Sequence, residues 1–303
     1  MNNYITVFTP TYNRSSLLKR CFDSLVAQTS YNFVWLIIDD GSTDDTKSVV
    51  DHLKNISSFK IEYYYKENGG KPSAHNFALD VCSTDYFLIL DSDDILDSNA
   101  IDILSKKIEL IKNRDDIAGI IGNRGKIGSN DVIGSPMPNL MYAKGIELYQ
   151  KYHFTGDTLR LYKTKVLKDY PFPLIEGEKF VPENIVFDAI DSNYDLLVIK
   201  EVLYLGEYQE NGYSKRINLY RHNNPIGYSL SLKSAAETAV VLKKKINWTI
   251  LFIIWTKSFK LKSFSIFKYK LRYILLLPVS YCFMFCKKPS FLFDSILLGD
   301  DYE

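Results

Sequence analysis

Cysteine is scarce in this 303-residue chain, with four residues at Cys21, Cys82, Cys282 and Cys286. They are too few and too scattered for a disulfide scaffold. The one close pair, Cys282 and Cys286, lies in an apolar segment with no histidine nearby, which argues against a zinc site. Long hydrophobic runs are missing too. The longest charge-free stretch of the carboxy-terminal part, residues 273–286, has fourteen residues and contains Pro278, whereas crossing a bilayer takes about 20. No basic segment precedes an apolar core at the start, so no signal peptide is expected and the catalytic part is expected in the cytoplasm. No G-x-G-x-x-G follows the first apolar run, which excludes the dinucleotide-binding fingerprint. Gly69-Gly70-Lys71-Pro72 lacks both the earlier glycine and the Ser or Thr of a P-loop.

Acidic residues are absent from a whole region. Residues 238–293 hold no Asp or Glu but eleven Lys and Arg, leaving 26 basic and 32 acidic side chains in residues 1–237. The net charge of +1 hides this asymmetry, which points to two parts in different surroundings and gives no reason to expect a nucleic-acid partner. Apolar segments with Trp, Phe and Tyr between lysines fit helices lying on an anionic membrane, expected over residues 243–288. The alternative is a helical subdomain that packs on the core or on a second protomer, a homo-oligomer.

The first 125 residues have a regular rhythm. Apolar runs at 4–9, 33–38 and 86–90, and the tyrosine-rich segment 60–65, read as strands. Leu17, Leu18, Cys21, Phe22, Leu25 and Val26 recur at helical spacing over 15–28. Val49, Val50 and Leu53 mark a second helix, for which Ser42 and Asp45 have capping-box spacing. Ala74, Phe77, Ala78 and Val81 mark a third. Such alternation predicts an α/β fold, a mostly parallel sheet covered on both faces. Ile101, Leu104, Ile108 and Ile111 continue as a helix and 117–121 as a strand, with a hairpin or loop over 125–134. Further on, the pattern predicts a strand over 157–162, a helix over 183–191, two strands within 196–208 meeting near Lys200-Glu201, and one helix over 231–245.

Each of the first four strands ends in a polar cluster, and parallel strands bring such clusters to one edge. They are Thr9-Pro10-Thr11-Tyr12-Asn13-Arg14, Asp39-Asp40-Gly41-Ser42, Asn68-Gly69-Gly70-Lys71 and Asp91-Ser92-Asp93-Asp94. Together they supply an aromatic face, a carboxylate, a cation and a cluster of three carboxylates. Three negative charges that close repel one another unless a cation sits among them, and a divalent metal on a phosphate-bearing ligand is the simplest one. Read singly, the same residues make turns and helix caps; Asp94 in particular reads as the cap of the next helix or as support for its neighbours.

These motifs, with Ile37-Ile38 before the second and Asn76 after the third, resemble the inverting glycosyltransferases of family 2, which have the GT-A fold. The resemblance covers about residues 1–125 and extends loosely to about 210. It implies a Rossmann-like nucleotide-sugar half (1–125) and an acceptor and catalytic-base half (126–228); the composition beyond them marks a helical, basic, apolar extension (229–303). It implies that Tyr12 and Asp40 bind the nucleobase, usually uracil, that Asp91 contacts the ribose, and that Asp93 coordinates Mn²⁺ or Mg²⁺ on the diphosphate. Thr9, Arg14, Lys71 and Ser92 are further expected nucleotide contacts.

Inversion also needs a base for the acceptor hydroxyl. The family usually draws it from an acidic pair opening a helix; here the sequence is Pro182-Glu183-Asn184, so Glu183 is the expected base, with Glu178 and Asp188 in reserve. Asp157, after Gly156, is placed at the donor or acceptor pocket. The implied reaction moves a sugar from a UDP-sugar to a glycan, expected to be lipid-linked and bound for a surface polysaccharide. The enzyme would then sit peripherally on the inner face of the cell membrane. A soluble or protein acceptor, or a non-catalytic nucleotide-sugar binder, are the alternatives. A nucleotidyltransferase would need a glycine-rich signature that residues 9–14 do not supply.

Overall fold

A computed structural model describes residues 5–129, 131–207 and 216–261. Among the described residues nine strands form one sheet: β1 (Ile5–Thr11), β2 (Phe33–Asp39), β3 (Lys60–Tyr65), β4 (Tyr86–Ile89), β5 (Ile95–Leu96), β6 (Ile117–Lys126), β7 (Tyr142–Ala143), β8 (Thr158–Lys163) and β9 (Asp195–Gly206). Their order is β3-β2-β1-β4-β8-β6-β9-β5, with β7 also on β9. The first four strands are parallel throughout. Beyond β4 the sheet is mixed, because β8 runs antiparallel to both β4 and β6. The chain is therefore α/β with the expected parallel half.

The strands alternate their side chains between two apolar layers. On one face Ile5, Val7, Trp35 and Ile37 pack with Leu18 and Leu25 of α1 (Ser15–Val26), Val50 of α2 (Thr46–Ile56) and Leu104 of α4 (Ala100–Ile108). On the other, Phe8, Leu36 and Ile38 meet Ala74 and Ala78 of α3 (Lys71–Val81), Val166 of α6 (Thr164–Lys168) and Val186 of α7 (Asn184–Asn193). The short α5 (Gly145–Gln150) lies between β7 and β8 in the chain. A third cluster joins α9 (Pro225–Thr238), which follows α8 (Ile217–Asn223), to α10 (Leu242–Ser258) through Tyr228, Leu232, Leu251, Phe252 and Trp255.

Several expectations change. Ser42 and Asp45 form no capping box: α2 starts at Thr46, whose N–H and hydroxyl both donate to Asp44 Oδ1. Asp94 caps no helix, since β5 intervenes before α4. Residues 195–206 are one strand, and a register shift against β6 absorbs the exposed Lys200. The single helix expected over 231–245 is two. Val240 and Val241, β-branched and better suited to extended backbone, separate them, and both donate to Gln150 Oε1. The boundary placed at residue 229 falls inside α9. Of the segment expected on a membrane, residues 262–288 and with them Cys282 and Cys286 lie outside the described residues. Within α10, residues 249–256 are buried. Among the described residues no helix is long and apolar enough to cross a membrane.

Candidate active site

The carboxyl ends of β1, β2, β3 and β4 bring four loops to one edge. Asn13, with φ 51°, ties the first two: its N–H donates to Ser42 Oγ, and its Oδ1 accepts from Thr43 N–H at 2.7 Å. A left-handed residue that is not glycine is tolerated best when it is Asn, whose side chain bonds locally. Tyr12 beside it is 49% exposed, leaving a ring face for stacking.

Asp40 is buried and builds the third loop. Its carboxylate accepts from Lys66 Nζ (2.7 Å), Asn68 Nδ2 (3.2 Å), Gly69 N–H (3.0 Å) and Gly70 N–H (2.7 Å). Four donors match the roughly four acceptor sites of a carboxylate, so Asp40 shapes the loop that would face a nucleobase. Gly70, at φ 86°, is required there: a Cβ would stand 1.8 Å from the Lys179 carbonyl oxygen. Thr9 does not reach the edge. It is fully buried, and its hydroxyl accepts from the Trp35 indole at 2.9 Å. Asn76 likewise serves the fold, pairing with both backbone groups of Phe172.

The three carboxylates after β4 are not left to repel one another, because the protein supplies a cation to each. Lys71 Nζ lies 2.7 Å from Asp91, Arg14 3.3 Å from Asp93 and Arg124 2.7 Å from Asp94. Arg14 also reaches Ser92 Oγ, and Arg20 bonds the Asp93 carbonyl. This corrects the argument that repulsion alone calls for a metal. Burial works against the Asp91 charge, but Lys71, backed by Arg14 and Arg124, holds its carboxyl below the usual range. Asp94 behaves oppositely: burial, then the Asp91 charge, push it up to about 6 against the pull of Arg124 and Tyr204. The Tyr204 hydroxyl donates to Asp94 at 2.6 Å and accepts from Asp91 N–H. Asp157 pairs with Arg124 at 2.7 Å and so joins the cluster through it.

Asp93 suits a metal held jointly with a ligand. Its side chain is 18% exposed and its ion pair to Arg14 is long. No group of three or more His, Cys, Asp or Glu that could hold a metal is found among the described residues.

The three candidate bases are separated by their partners. Glu183, at the start of α7 with its side chain 45% exposed, lies 2.7 Å from Lys71 Nζ. Burial opposes the charge of Lys71, yet Asp91 and Glu183 outweigh it and hold the ammonium above the usual lysine range. Glu178 has both oxygens engaged by the N–H groups of Ile226 and Gly227. Asp188 accepts from Asn184 Nδ2 at 3.0 Å, and burial pushes it up to about 6. The edge thus gathers Tyr12, Arg14, Asp40, Lys71, Asp91, Ser92, Asp93 and Glu183. Lys66, Arg124 and Tyr204 are additions that the sequence did not single out. Arg124, a charge closing the buried run of β6, carried a signal; Tyr204 within an apolar strand carried none.

The GlyA glycosyltransferase of Streptococcus pneumoniae is 33% identical over 123 residues, 41% of this chain and 17% of that protein. The match therefore spans about a sixth of that relative's length. Among solved structures, S. aureus TarS 1–349 in complex with UDP-GlcNAc superposes with a TM-score of 0.60 at 19% identity, covering 84% of this chain and 73% of that one. The mannosyltransferase PcManGT from Pyrobaculum calidifontis, in complex with GDP-Man and Mn²⁺, gives a TM-score of 0.58 at 16% identity, over 97% and 83%. At such identities these two speak for the fold. A family profile described as Glycosyl transferase family 2 matches residues 6–171, more than half of the chain, and the chain therefore belongs to glycosyl transferase family 2, with the GT-A fold.

Proposed function

We propose that the chain transfers a sugar, with inversion, from a UDP-sugar to a hydroxyl of a glycan acceptor. The observation that carries this reading is the position of the Lys71 ammonium, 2.7 Å from both Asp91 and Glu183. One cation separates the carboxylate assigned to the donor's ribose from the carboxylate assigned as base. A donor sugar seated over Lys71 would have Glu183 on the side from which the acceptor arrives.

In this reaction Tyr12 stacks on the nucleobase, and Asp40 acts at that end through the loop it holds. Arg14 and Lys71 meet the diphosphate. Asp93 would hold the Mn²⁺ or Mg²⁺, which when bound supplies neutralising charge for the leaving diphosphate. Glu183 takes the proton of the acceptor hydroxyl as its oxygen bonds to the anomeric carbon; the bond from that carbon to the phosphate oxygen breaks and UDP leaves with the electron pair. We assign residues 1–125 to the donor half, 126–224 to the acceptor half and the residues from the start of α9 at 225 onward to the extension.

For the acceptor we propose a lipid-linked glycan at the inner face of the cell membrane, in surface-polysaccharide synthesis. The acid-free, lysine-rich composition of 238–293 supports it, as do the consecutive Lys243, Lys244 and Lys245 beside the 71% exposed Leu242. The burial of residues 249–256 favours a second reading, in which the extension is a packing module and the acceptor is not membrane-bound. Co-sedimentation with phosphatidylglycerol vesicles at low salt separates the two: no binding removes the membrane reading.

The donor and base are tested together. A screen of UDP-, GDP- and dTDP-sugars with Mn²⁺, reading diphosphate release, is expected to select a UDP-sugar. Glu183→Gln should then keep donor affinity and lose transfer by about 100-fold or more, the usual scale for a general base. Near-normal turnover would remove Glu183 from this role.

A further inference from the structure

The segment that carries Glu183 is fastened to α9 on both sides of that residue. Before it, Glu178 Oε1 accepts from Ile226 N–H at 2.8 Å and Oε2 from Gly227 N–H at 2.7 Å. These are first-turn donors with no partner inside their helix, at its positive end. Asn224 Oδ1 accepts from the N–H groups of Lys179 (2.9 Å) and Phe180 (3.1 Å). After Glu183, the Ser231 hydroxyl donates to Asn184 Oδ1 at 2.6 Å. The approach is close enough to need glycine at 227, where a Cβ would stand 2.6 Å from the Phe180 carbonyl oxygen.

The same segment abuts the donor loop. Lys179 Nζ donates to Asn68 Oδ1 at 2.7 Å, and the Lys179 carbonyl lies against Gly70. On its far side α9 is tied to α10: the Trp255 indole donates to the Pro225 carbonyl at 2.9 Å and its ring meets Tyr228 edge-on, centroids 4.6 Å apart. A continuous set of contacts therefore runs from α10 through the start of α9 to Glu178 and Glu183.

We infer that Glu178 is a positioning residue for Glu183, and that α9 is the element through which the carboxy-terminal helices set the base against the donor. This rests on the reading of Glu183 as the base. Proton transfer demands hydrogen-bond distance in the transition state, and a misplacement of about 1 Å can cost on the order of 100-fold. Glu178 bonds to α9 and not to Asp40, Asp91 or Asp93, so its loss should act on turnover and spare donor binding.

The test compares Glu178→Ala, Glu178→Gln, Ser231→Ala and Glu183→Gln, measuring UDP release from the selected UDP-sugar and UDP affinity by calorimetry with Mn²⁺. Glu178→Ala is expected to lower kcat about tenfold or more, with donor KM within about twofold of the parent. Glu178→Gln should retain more turnover, because its amide oxygen still accepts one of the two N–H groups. Ser231→Ala should lose less, in the same direction. A folded Glu178→Ala protein with unchanged kcat, or one whose donor KM worsens as much as its kcat, overturns the inference. If Glu178→Ala does not fold, the other two variants decide: parent-like kcat in both overturns it. Near-normal kcat in Glu183→Gln removes the base assignment and this inference with it, whereas an inactive Glu183→Gln beside a fully active Glu178→Ala removes the inference alone.

Discussion

Lys71 and Glu183 form an ion pair at 2.7 Å, across which the start of α3 meets the start of α7. The same ammonium holds Asp91, so removing it leaves two carboxylates facing each other with no cation between them. Lys71→Met is therefore expected to weaken UDP binding by about 10- to 150-fold, by analogy with a lost charge-assisted contact of about 1.5–3 kcal/mol, and to lower turnover as well. Calorimetric titration with UDP checks the first effect; unchanged affinity would place the diphosphate elsewhere.

Asp93 carries the metal prediction. Asp93→Ala should abolish the dependence of UDP affinity on Mn²⁺ while leaving the metal-free affinity near that of the parent. Arg14 would then lose its partner but keep its bond to Ser92. Titrating UDP with and without Mn²⁺ reads this directly, and a surviving Mn²⁺ effect would move the metal off Asp93.

Much of this was legible in the chain. Strand-like runs broken by Asp39-Asp40, Gly69-Gly70 and Asp91-Ser92-Asp93-Asp94 give both the parallel half-sheet and the edge where its loops meet, because period and turn chemistry are local signals. What was not legible is who pairs with whom. The sequence puts three carboxylates together, but the cations that answer them come from positions 14, 71 and 124, which only the sheet order brings near. Thr9 reads as part of a loop motif, yet it bonds the Trp35 indole inside the core. The break between α9 and α10 depends on Gln150, about ninety residues upstream.

Asp188 supplies a pH prediction. Its carboxyl is raised to about 6, first by burial and then by Asp191, against the bond from Asn184 and the charge of Arg160. The native state thus binds this proton more tightly than the unfolded chain, whose Asp titrates near 3.9. Stability from this group is present below about pH 4 and is lost as pH rises toward about 6. Asp188→Asn keeps an acceptor for Asn184 and never charges. It is expected to match the parent in thermal melting near pH 4 and to exceed it at pH 7.5, by about 1–3 kcal/mol. Equal melting at both values would show that Asp188 titrates normally.

Asn184 stands where family relatives are expected to carry an acid after the Glu, and its contacts account for the difference. It accepts from the Ser231 hydroxyl and donates to Asp188 at 3.0 Å. An Asp at 184 could still accept from Ser231 but has no proton to give Asp188 at neutral pH. Two charged carboxylates at that distance repel, and the pair takes up one shared proton only as pH falls. Asn184→Asp should therefore destabilise the protein at pH 7.5 by about 1–3 kcal/mol, the cost of leaving a buried polar group unsatisfied. As pH falls toward 5 the shared proton binds and the deficit should shrink. Because Ser231 stays bonded, turnover at the lower pH should recover more fully than in Ser231→Ala, which cuts the tie to α9 at every pH. A deficit independent of pH would mean that Asn184 matters through its shape alone, and not through the bond from its amide to Asp188.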